Sequence, residues 1–222
     1  MSVTVWATRF LCIKQHATEN QRPCAALLAG GFYHRAMPHP NVPFKPTAAD
    51  LIAANDKTIK DVIGPGLRVL FCGINPGLYS GATGHHFARR GNRFWPALFA
   101  GGFTPRLLSP WDKGELLQYG IGITNVVART TAAAAELSDD ELRAGTVLLR
   151  RKVLRYKPRV LAILGVGAYR VGFGKRAAVL GVQPEMIGET HVWIVPNPSG
   201  LNAHYTPKAL GELFRQFNRQ IG

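Results

Sequence analysis

The chain has 222 residues, of which 46% are hydrophobic and 18% charged, a composition that excludes a wholly disordered protein and provides for a buried core. Lysine and arginine total 27 against 13 acidic residues, which gives a formal charge of +14 at pH 7. This surplus favours a polyanionic partner such as a nucleic acid, although a generally basic protein without such a partner would show it too.

The cysteines and the apolar segments exclude several classes of protein. Cys12, Cys24 and Cys72 are odd in number and lack CxxC spacing, which excludes a disulfide framework and a cysteine-rich metal site. No run approaches the roughly 18 apolar residues of a membrane span, and the N-terminus has no secretory apolar region. We therefore expect a cytoplasmic protein that does not contact a membrane.

Residues 1–46 differ from the rest of the chain. Five prolines interrupt the segment, and its five basic residues stand against a single acidic one. We interpret it as a flexible or loosely docked N-terminal extension. Its charge fits an auxiliary arm that binds DNA, and an incorrectly assigned start of the chain fits equally well.

From residue 47 the pattern becomes regular, with apolar runs that alternate with helical segments. The predicted strands are 68–74, 122–127, 159–164 and 192–195. The predicted helices are 47–59, 92–100, a long one opened by the Ser138 capping box and closed at Tyr156, and a last one begun by Thr206-Pro207. Residues 47–222 therefore predict one α/β domain, a three-layer α/β/α sandwich with a central, mainly parallel sheet of four to five strands.

The segment after the first strand carries the first candidate site. It reads GINPGLYSGATGHHF from Gly73 to Phe87, and its glycines allow the backbone to approach a ligand. The dinucleotide pattern GxGxxG and the phosphate-loop pattern GxxxxGK[ST] are both absent. Asn75 carries no charge, so it is no strong base, but its amide can hold a water molecule or a polar base edge.

A second candidate segment follows the last strand and reads PNPSGLN from Pro196 to Asn202. Two prolines stiffen a loop that carries the bulky apolar Leu201. An apolar side chain exposed on a basic protein can enter a stack of bases, whereas a leucine in isolation is more often part of a core.

The two segments together are more specific than either alone. GINPGLYSGATGHHFARRGNRFW, followed by GITNVVART and by NPSGL, resembles the mismatch-specific uracil-DNA and thymine-DNA glycosylases, family 2 of the uracil-DNA glycosylase superfamily. The resemblance extends over about residues 60–220. It implies an enzyme that flips uracil or a related damaged pyrimidine out of duplex DNA and hydrolyses its N-glycosidic bond without metal or cofactor.

The resemblance also implies a role for individual residues. Asn75 corresponds to the catalytic asparagine that positions water, and Asn125 to a second polar contact for the base or the water, though an asparagine bonded to its own turn is an alternative. Phe87 would stack on the flipped base, with a core position as the alternative. The base pocket implied in this way consists of Ile74, Gly77, Ser80, His86 and Phe87.

The second segment would fill the space that the flipped base leaves. Leu201 corresponds to the wedge, and Ser199, Gly200 and Asn202 to contacts with the opposite base. Ala203 departs from the arginine that several relatives carry nearby. Arg89, Arg90 and Arg93 are candidates for phosphate contacts by position only.

We therefore expect a monomeric DNA repair glycosylase whose partner is double-stranded DNA with G:U or related mismatches. Asn125 favours a wider substrate range, whereas Ser80 favours tighter selection for uracil. The alternatives are a superfamily relative that acts on other deaminated bases or on single strands, and a protein that binds mismatches without cleavage. A nucleotide-binding regulator is disfavoured because both phosphate fingerprints are missing.

Overall fold

A five-stranded sheet forms the centre of the part of the chain that the structure, a computed structural model, describes: residues 44–200, 202 and 204–222. Its strands are β1 (Val69–Gly73), β2 (Ile121–Asn125), β3 (Val160–Leu164), β4 (Gly181–Ile187) and β5 (Thr190–Val195). They lie in the order β2-β1-β3-β5-β4, and all neighbours are parallel except β4 and β5. The predicted mainly parallel sheet is confirmed.

Helices cover both faces of the sheet and complete the predicted three layers. They are α1 (Ala48–Ile52), α2 (Leu78–Thr83), α3 (Phe94–Ala100), α4 (Asp139–Tyr156), α5 (Val166–Gly172) and α6 (Pro207–Ile221), with 3₁₀ segments at Pro110–Tyr119 and Ala134–Glu136. Alternate β1 residues enter separate cores: Phe71 packs with α3 and α6, and Leu70 packs with α4 and α5. This alternation is the side-chain period of a strand buried on both faces.

The two strongest helix-start signals are confirmed. The hydroxyl of Ser138 accepts a hydrogen bond from the backbone N–H of Glu141, and the Glu141 carboxylate accepts one from the N–H of Ser138. Thr206 caps α6 with one such bond, in which its hydroxyl accepts from the N–H of Ala209. These bonds satisfy N–H groups that have no acceptor within their helix, which explains why both starts were readable from local sequence.

The helix predicted over residues 47–59 is wrong beyond Ile52. Thr47 caps its start as expected, but Asp56 adopts a left-handed conformation with φ of 58°. The N–H of Asp56 donates to the carbonyl of Thr130 at 3.1 Å instead of continuing the helix. Thr130 belongs to residues 128–131, which follow β2 and which we call the strap.

Two α-helices and one strand were not predicted, and neither were the two 3₁₀ segments. Helix α2 lies within the glycine-rich segment, α5 follows β3, and β4 forms the antiparallel edge of the sheet. Residues 1–43 lie outside the described residues, so the extension and its boundary stay predictions. Among the described helices, none combines the length and apolar character needed to cross a membrane.

Candidate active site

A cleft of about 500 Å³ opens at the carboxyl ends of the parallel strands. Gly73, Asn125 and Leu164 line it from the ends of β1, β2 and β3, and Asn197 lines it from beyond β5. Ligands of open α/β sheets bind at this edge. All members of the predicted base pocket line the cleft, together with Asn75: Ile74, Gly77, Ser80, His86 and Phe87.

Asn75 stands in the cleft with its side-chain amide fixed by three acceptors. Its Nδ2 donates to Thr131 Oγ1 at 2.7 Å, to the carbonyl of Arg129 at 3.2 Å and to that of Pro76 at 3.2 Å. Carbonyl oxygens only accept hydrogen bonds, so the atom that faces them is the nitrogen. The hydroxyl of Thr131 donates onward to the carbonyl of Ala133 at 2.8 Å, which leaves its oxygen to accept from Asn75.

This arrangement determines what Asn75 can do chemically. Because Nδ2 has no hydrogen left for a ligand, the exposed function of the side chain is the carbonyl oxygen Oδ1. No donor among the described residues reaches Oδ1. A neutral carbonyl oxygen can accept a hydrogen bond from water and orient it, but it cannot remove a proton efficiently.

Asn125 lies across the cleft, where β2 ends beside Gly73. Its Nδ2 donates to Nδ1 of His86 at 3.4 Å, and Nε2 of His86 donates to the carbonyl of Lys60 at 3.0 Å. The Lys60 carbonyl requires a hydrogen on Nε2, so Nδ1 of the neutral ring is an acceptor. Asn125 therefore turns Oδ1 toward Gly73, where a Cβ atom would lie only 2.5 Å from it.

His86 is neutral in the folded protein. The side chain is 1% exposed, and burial lowers the pKa of His86 from 6.5 to about 4, although the carbonyl of Lys60 and the charge of Asp61 act in the opposite direction. Neighbouring His85 points away from the cleft, with Nδ1 bonded to the carbonyl of Pro110 at 3.0 Å. His86 thus lines the cleft with both ring nitrogens bound to protein groups.

The neutral state of His86 predicts a loss of stability in acid. Between about pH 6.5 and pH 4 the unfolded chain protonates this histidine and the folded one does not, so protons favour unfolding. Because one pKa unit corresponds to about 1.4 kcal/mol, we expect His86 to make the free energy of unfolding about 2 kcal/mol lower at about pH 5 than at neutral pH. Chemical denaturation at both pH values measures it. His86→Gln, which cannot become charged, should lack this component, and an equal pH dependence in both proteins would contradict the assignment.

Phe87 has one ring face against the core. Its ring stacks on Phe94 with 4.1 Å between centroids, and the side chain also lines the cleft. The residue has a φ of 54°, a left-handed conformation that is uncommon for an aromatic residue and that tends to occur at functional sites. Ser80 is buried nearby, and its hydroxyl accepts a hydrogen bond from the N–H of Ala88 at 3.3 Å.

The loop after β5 is held by Arg93. Its guanidinium donates to the carbonyls of Asn202 at 3.1 Å, Tyr205 at 2.6 Å and Gly200 at 3.3 Å. Gly200 packs so closely that a Cβ atom there would lie 2.4 Å from the carbonyl oxygen of Gly91. Arg93, a candidate for phosphate contact by its position in the sequence, thus binds the loop itself.

Side chains of this loop also form hydrogen bonds with its own backbone. Asn202 donates to the carbonyl of Asn197 at 3.0 Å and accepts from the N–H of His204 at 3.1 Å. Ser199 lines the cleft and donates its N–H to Oδ1 of Asn197 at 3.0 Å. The predicted wedge Leu201 and its neighbour Ala203 lie outside the described residues. Among the residues described, no group of three or more metal-binding side chains is close enough to hold an ion.

The family model of the uracil DNA glycosylase superfamily matches residues 61–221 of this chain. The chain belongs to this superfamily. The matched range contains the whole cleft except Leu51 and Ile59, which lie before it. Membership implies a DNA glycosylase, which is a hydrolase of DNA repair, and DNA as the partner.

A solved structure has the same fold as the superfamily domain described here. It is the solution NMR structure of a candidate uracil DNA glycosylase from Methanosarcina acetivorans, with a TM-score of 0.50 and 18% sequence identity. The match covers 73% of this chain and 98% of that one. At this identity the likeness concerns the fold alone.

Sequence reasoning missed the residues that hold the site in place. Thr131 and the carbonyl of Arg129 fix Asn75 from 56 and 54 positions further along the chain. Arg93 fixes the loop after β5 from more than 100 positions away. No local pattern indicates contacts of this kind: GITNVVART, the segment that carries the resemblance, ends at Thr130, one residue before Thr131.

Proposed function

We propose that this protein is a monofunctional glycosylase of the mismatch-specific branch, which removes uracil opposite guanine from duplex DNA. It acts as a monomer, without metal or cofactor, and leaves an abasic site. The observation that carries the proposal is the fixed amide of Asn75. Three acceptors bind its nitrogen, so its oxygen is available to a water molecule inside a cleft of suitable size for a base.

The first step is extrusion of the base from the duplex. A uracil paired with guanine is held less firmly than one paired with adenine, so its extrusion has a lower cost. In the cleft, the exposed face of Phe87 would stack on the pyrimidine ring, a contact that contributes about 1–3 kcal/mol per base. Oδ1 of Asn125 would accept a hydrogen bond from the imide N–H of uracil, and Ser80 would limit the space beside the ring.

The second step is hydrolysis. Water held by Oδ1 of Asn75 adds its oxygen to C1′ of the sugar as the bond from C1′ to the base nitrogen breaks. The electron pair of that bond leaves with the base as an anion, and the proton of the water passes to solvent. Gly77 precedes helix α2 and provides no side-chain cap, and the first N–H groups of the helix would stabilise the departing anion.

The loop after β5 would occupy the duplex while the base is in the cleft. Arg93 binds the carbonyl oxygens of Gly200, Asn202 and Tyr205, which would restrain these residues of the loop before DNA arrives. In this proposal Leu201 enters the base stack, and Ser199, Gly200 and Asn202 lie near the orphaned guanine. A loop that is restrained beforehand loses less conformational entropy when it enters the duplex, which would favour its insertion.

Incubation of the purified protein with a set of oligonucleotides, followed by hot alkali and gel analysis, tests the proposal. We expect strand breaks at uracil opposite guanine and roughly tenfold slower cleavage opposite adenine, which corresponds to about 1.4 kcal/mol of extra pairing. We expect little cleavage in single strands, which have no opposite guanine for the loop after β5 to contact. Tight binding of the mismatch without alkali-labile sites would indicate a protein that recognises damage without cleavage. Cleavage of single strands as fast as of the G:U duplex would indicate the alternative function, a superfamily member that acts on single-stranded DNA.

A further inference from the structure

The strap lies beside the segment that carries Asn75 and supplies its acceptors. The N–H of Thr131 donates to the carbonyl of Pro76 at 3.2 Å, and Thr131 forms an isolated parallel bridge with Gly77. Two of the three acceptors of the Asn75 amide, the carbonyl of Arg129 and the hydroxyl of Thr131, belong to the strap. The direction of the Asn75 amide therefore depends on where the strap lies.

The side chain of Arg129 anchors the strap to the start of α4. Nε and an Nη atom donate to the two carboxylate oxygens of Glu141 at 2.5 and 3.1 Å. The other Nη donates to Asp56 at 3.1 Å, and the first also reaches the carbonyl of Glu136 at 3.3 Å. A bidentate pair of this kind fixes orientation as well as distance.

We propose that Arg129 and Glu141 form a positioning pair for Asn75, which holds the strap so that the amide oxygen of Asn75 points at the attacking water. The inference deepens the proposed function and rests on it. Neither residue lines the cleft, so the pair acts through the backbone of the strap and not on the substrate.

A purely structural role explains the pair less well. Both side chains are about one-third exposed, and ion pairs of that kind contribute little to stability because solvent screens them. A displacement of a catalytic group by 1 Å, in contrast, can lower the rate by about 10²-fold. The pKa of Glu141 is lowered to about 2, chiefly by its hydrogen bond from Arg129, so the pair stays charged at any practical assay pH.

Glu141→Gln tests the pair, with Ser138→Ala as the matched control. Glutamine cannot offer two acceptor oxygens to Arg129, whereas Ser138→Ala disrupts the cap of α4 and leaves the pair with Arg129 intact. We expect Glu141→Gln to lower the single-turnover rate of uracil excision about tenfold with an unchanged Kd for duplex DNA. Ser138→Ala should retain the wild-type rate. Arg129→Lys, which loses the bidentate contact, serves as a second variant with the same expected direction.

Two further measurements separate positioning from a general loss of structure. In an Asn75→Ala background Glu141→Gln should have no further effect on the rate, because the group that it positions is gone. The side-chain amide resonances of Asn75, identified by their loss in Asn75→Ala, should shift in Glu141→Gln and stay in place in Ser138→Ala. If Glu141→Gln has the wild-type rate and unshifted Asn75 resonances, the positioning pair is overturned and the proposed function is unaffected. A wild-type protein inactive on every duplex would overturn the proposed function, and the resonances would still decide the positioning.

Discussion

Replacement of Asn75 by alanine is expected to lower the single-turnover rate of uracil excision by about 10²–10³-fold, the loss that follows removal of one preorganised polar group from a transition state. The substitution removes the only atom that we assign to holding the attacking water. Asn75 carries no charge and contributes nothing to phosphate binding, so the Kd for duplex DNA should change little. Excess enzyme, a uracil-containing duplex and an alkali quench measure the rate.

Thr131→Val provides the comparison for this result. It removes the closest acceptor of the Asn75 amide, at 2.7 Å, but keeps the asparagine and the shape of the strap. Two acceptors remain, so we expect a loss of only several-fold. Excision by Asn75→Ala at the wild-type rate would remove this residue from the mechanism, and the proposed function would then need a different group to orient water.

Gly73→Ala is expected to reduce excision by about 10²-fold or more through crowding inside the cleft. A Cβ atom at this position would lie 2.5 Å from Oδ1 of Asn125 and 3.5 Å from Cζ of Phe87. The backbone of β1 is paired with β2 as far as Gly73 and with β3 as far as Cys72, so it has little room to retreat. We therefore expect the Asn125 amide to move and to lose its bond to His86. A misplacement of about 1 Å is sufficient for a loss of this size.

Gly167→Ala is the matched control for Gly73→Ala. It lies in α5 away from the cleft, and a Cβ atom there would meet nothing within 4 Å, so folding and excision should match the wild type. Rates are compared under single-turnover conditions, with near-ultraviolet circular dichroism to check the core. Full activity of Gly73→Ala would contradict the placement of the base between Asn125 and Phe87.

The parts of the fold that were predictable are those with local causes. The capping box of Ser138 and the Thr206-Pro207 start are satisfied within one helical turn, and the continuous apolar runs reflect burial on both faces of the sheet. The predicted helix over 47–59 failed because the N–H of Asp56 finds its acceptor in the strap, a tertiary contact. Strand β4 was missed because it is an edge strand with alternating burial and a proline at position 184.

In the candidate site, too, the residues in local sequence motifs were predicted, and those that act through tertiary contacts were not. Asn75, Phe87 and Asn125 were found because they lie in motifs that follow strands, and the structure brings all three into one cleft. Whether they act as the resemblance implies stays a prediction. The residues that hold the site in place were not found. The Arg129 carbonyl and Thr131 reach Asn75, and Arg93 reaches the loop after β5, from far away in sequence, and such contacts depend on the folded arrangement.

The neutral ring of His86 has a consequence for fidelity. A carboxamide without a fixed partner can rotate and present either its oxygen or its nitrogen to the base. With the nitrogen turned inward it would bind cytosine as readily as uracil. Here the nitrogen end is bound to Nδ1 of His86, so in the proposed complex Asn125 would offer the base its oxygen. Cytosine carries a lone pair where uracil carries a hydrogen, so two lone pairs would face each other. In the proposed complex, His86 would thereby protect cytosine from excision through the orientation that it imposes on Asn125.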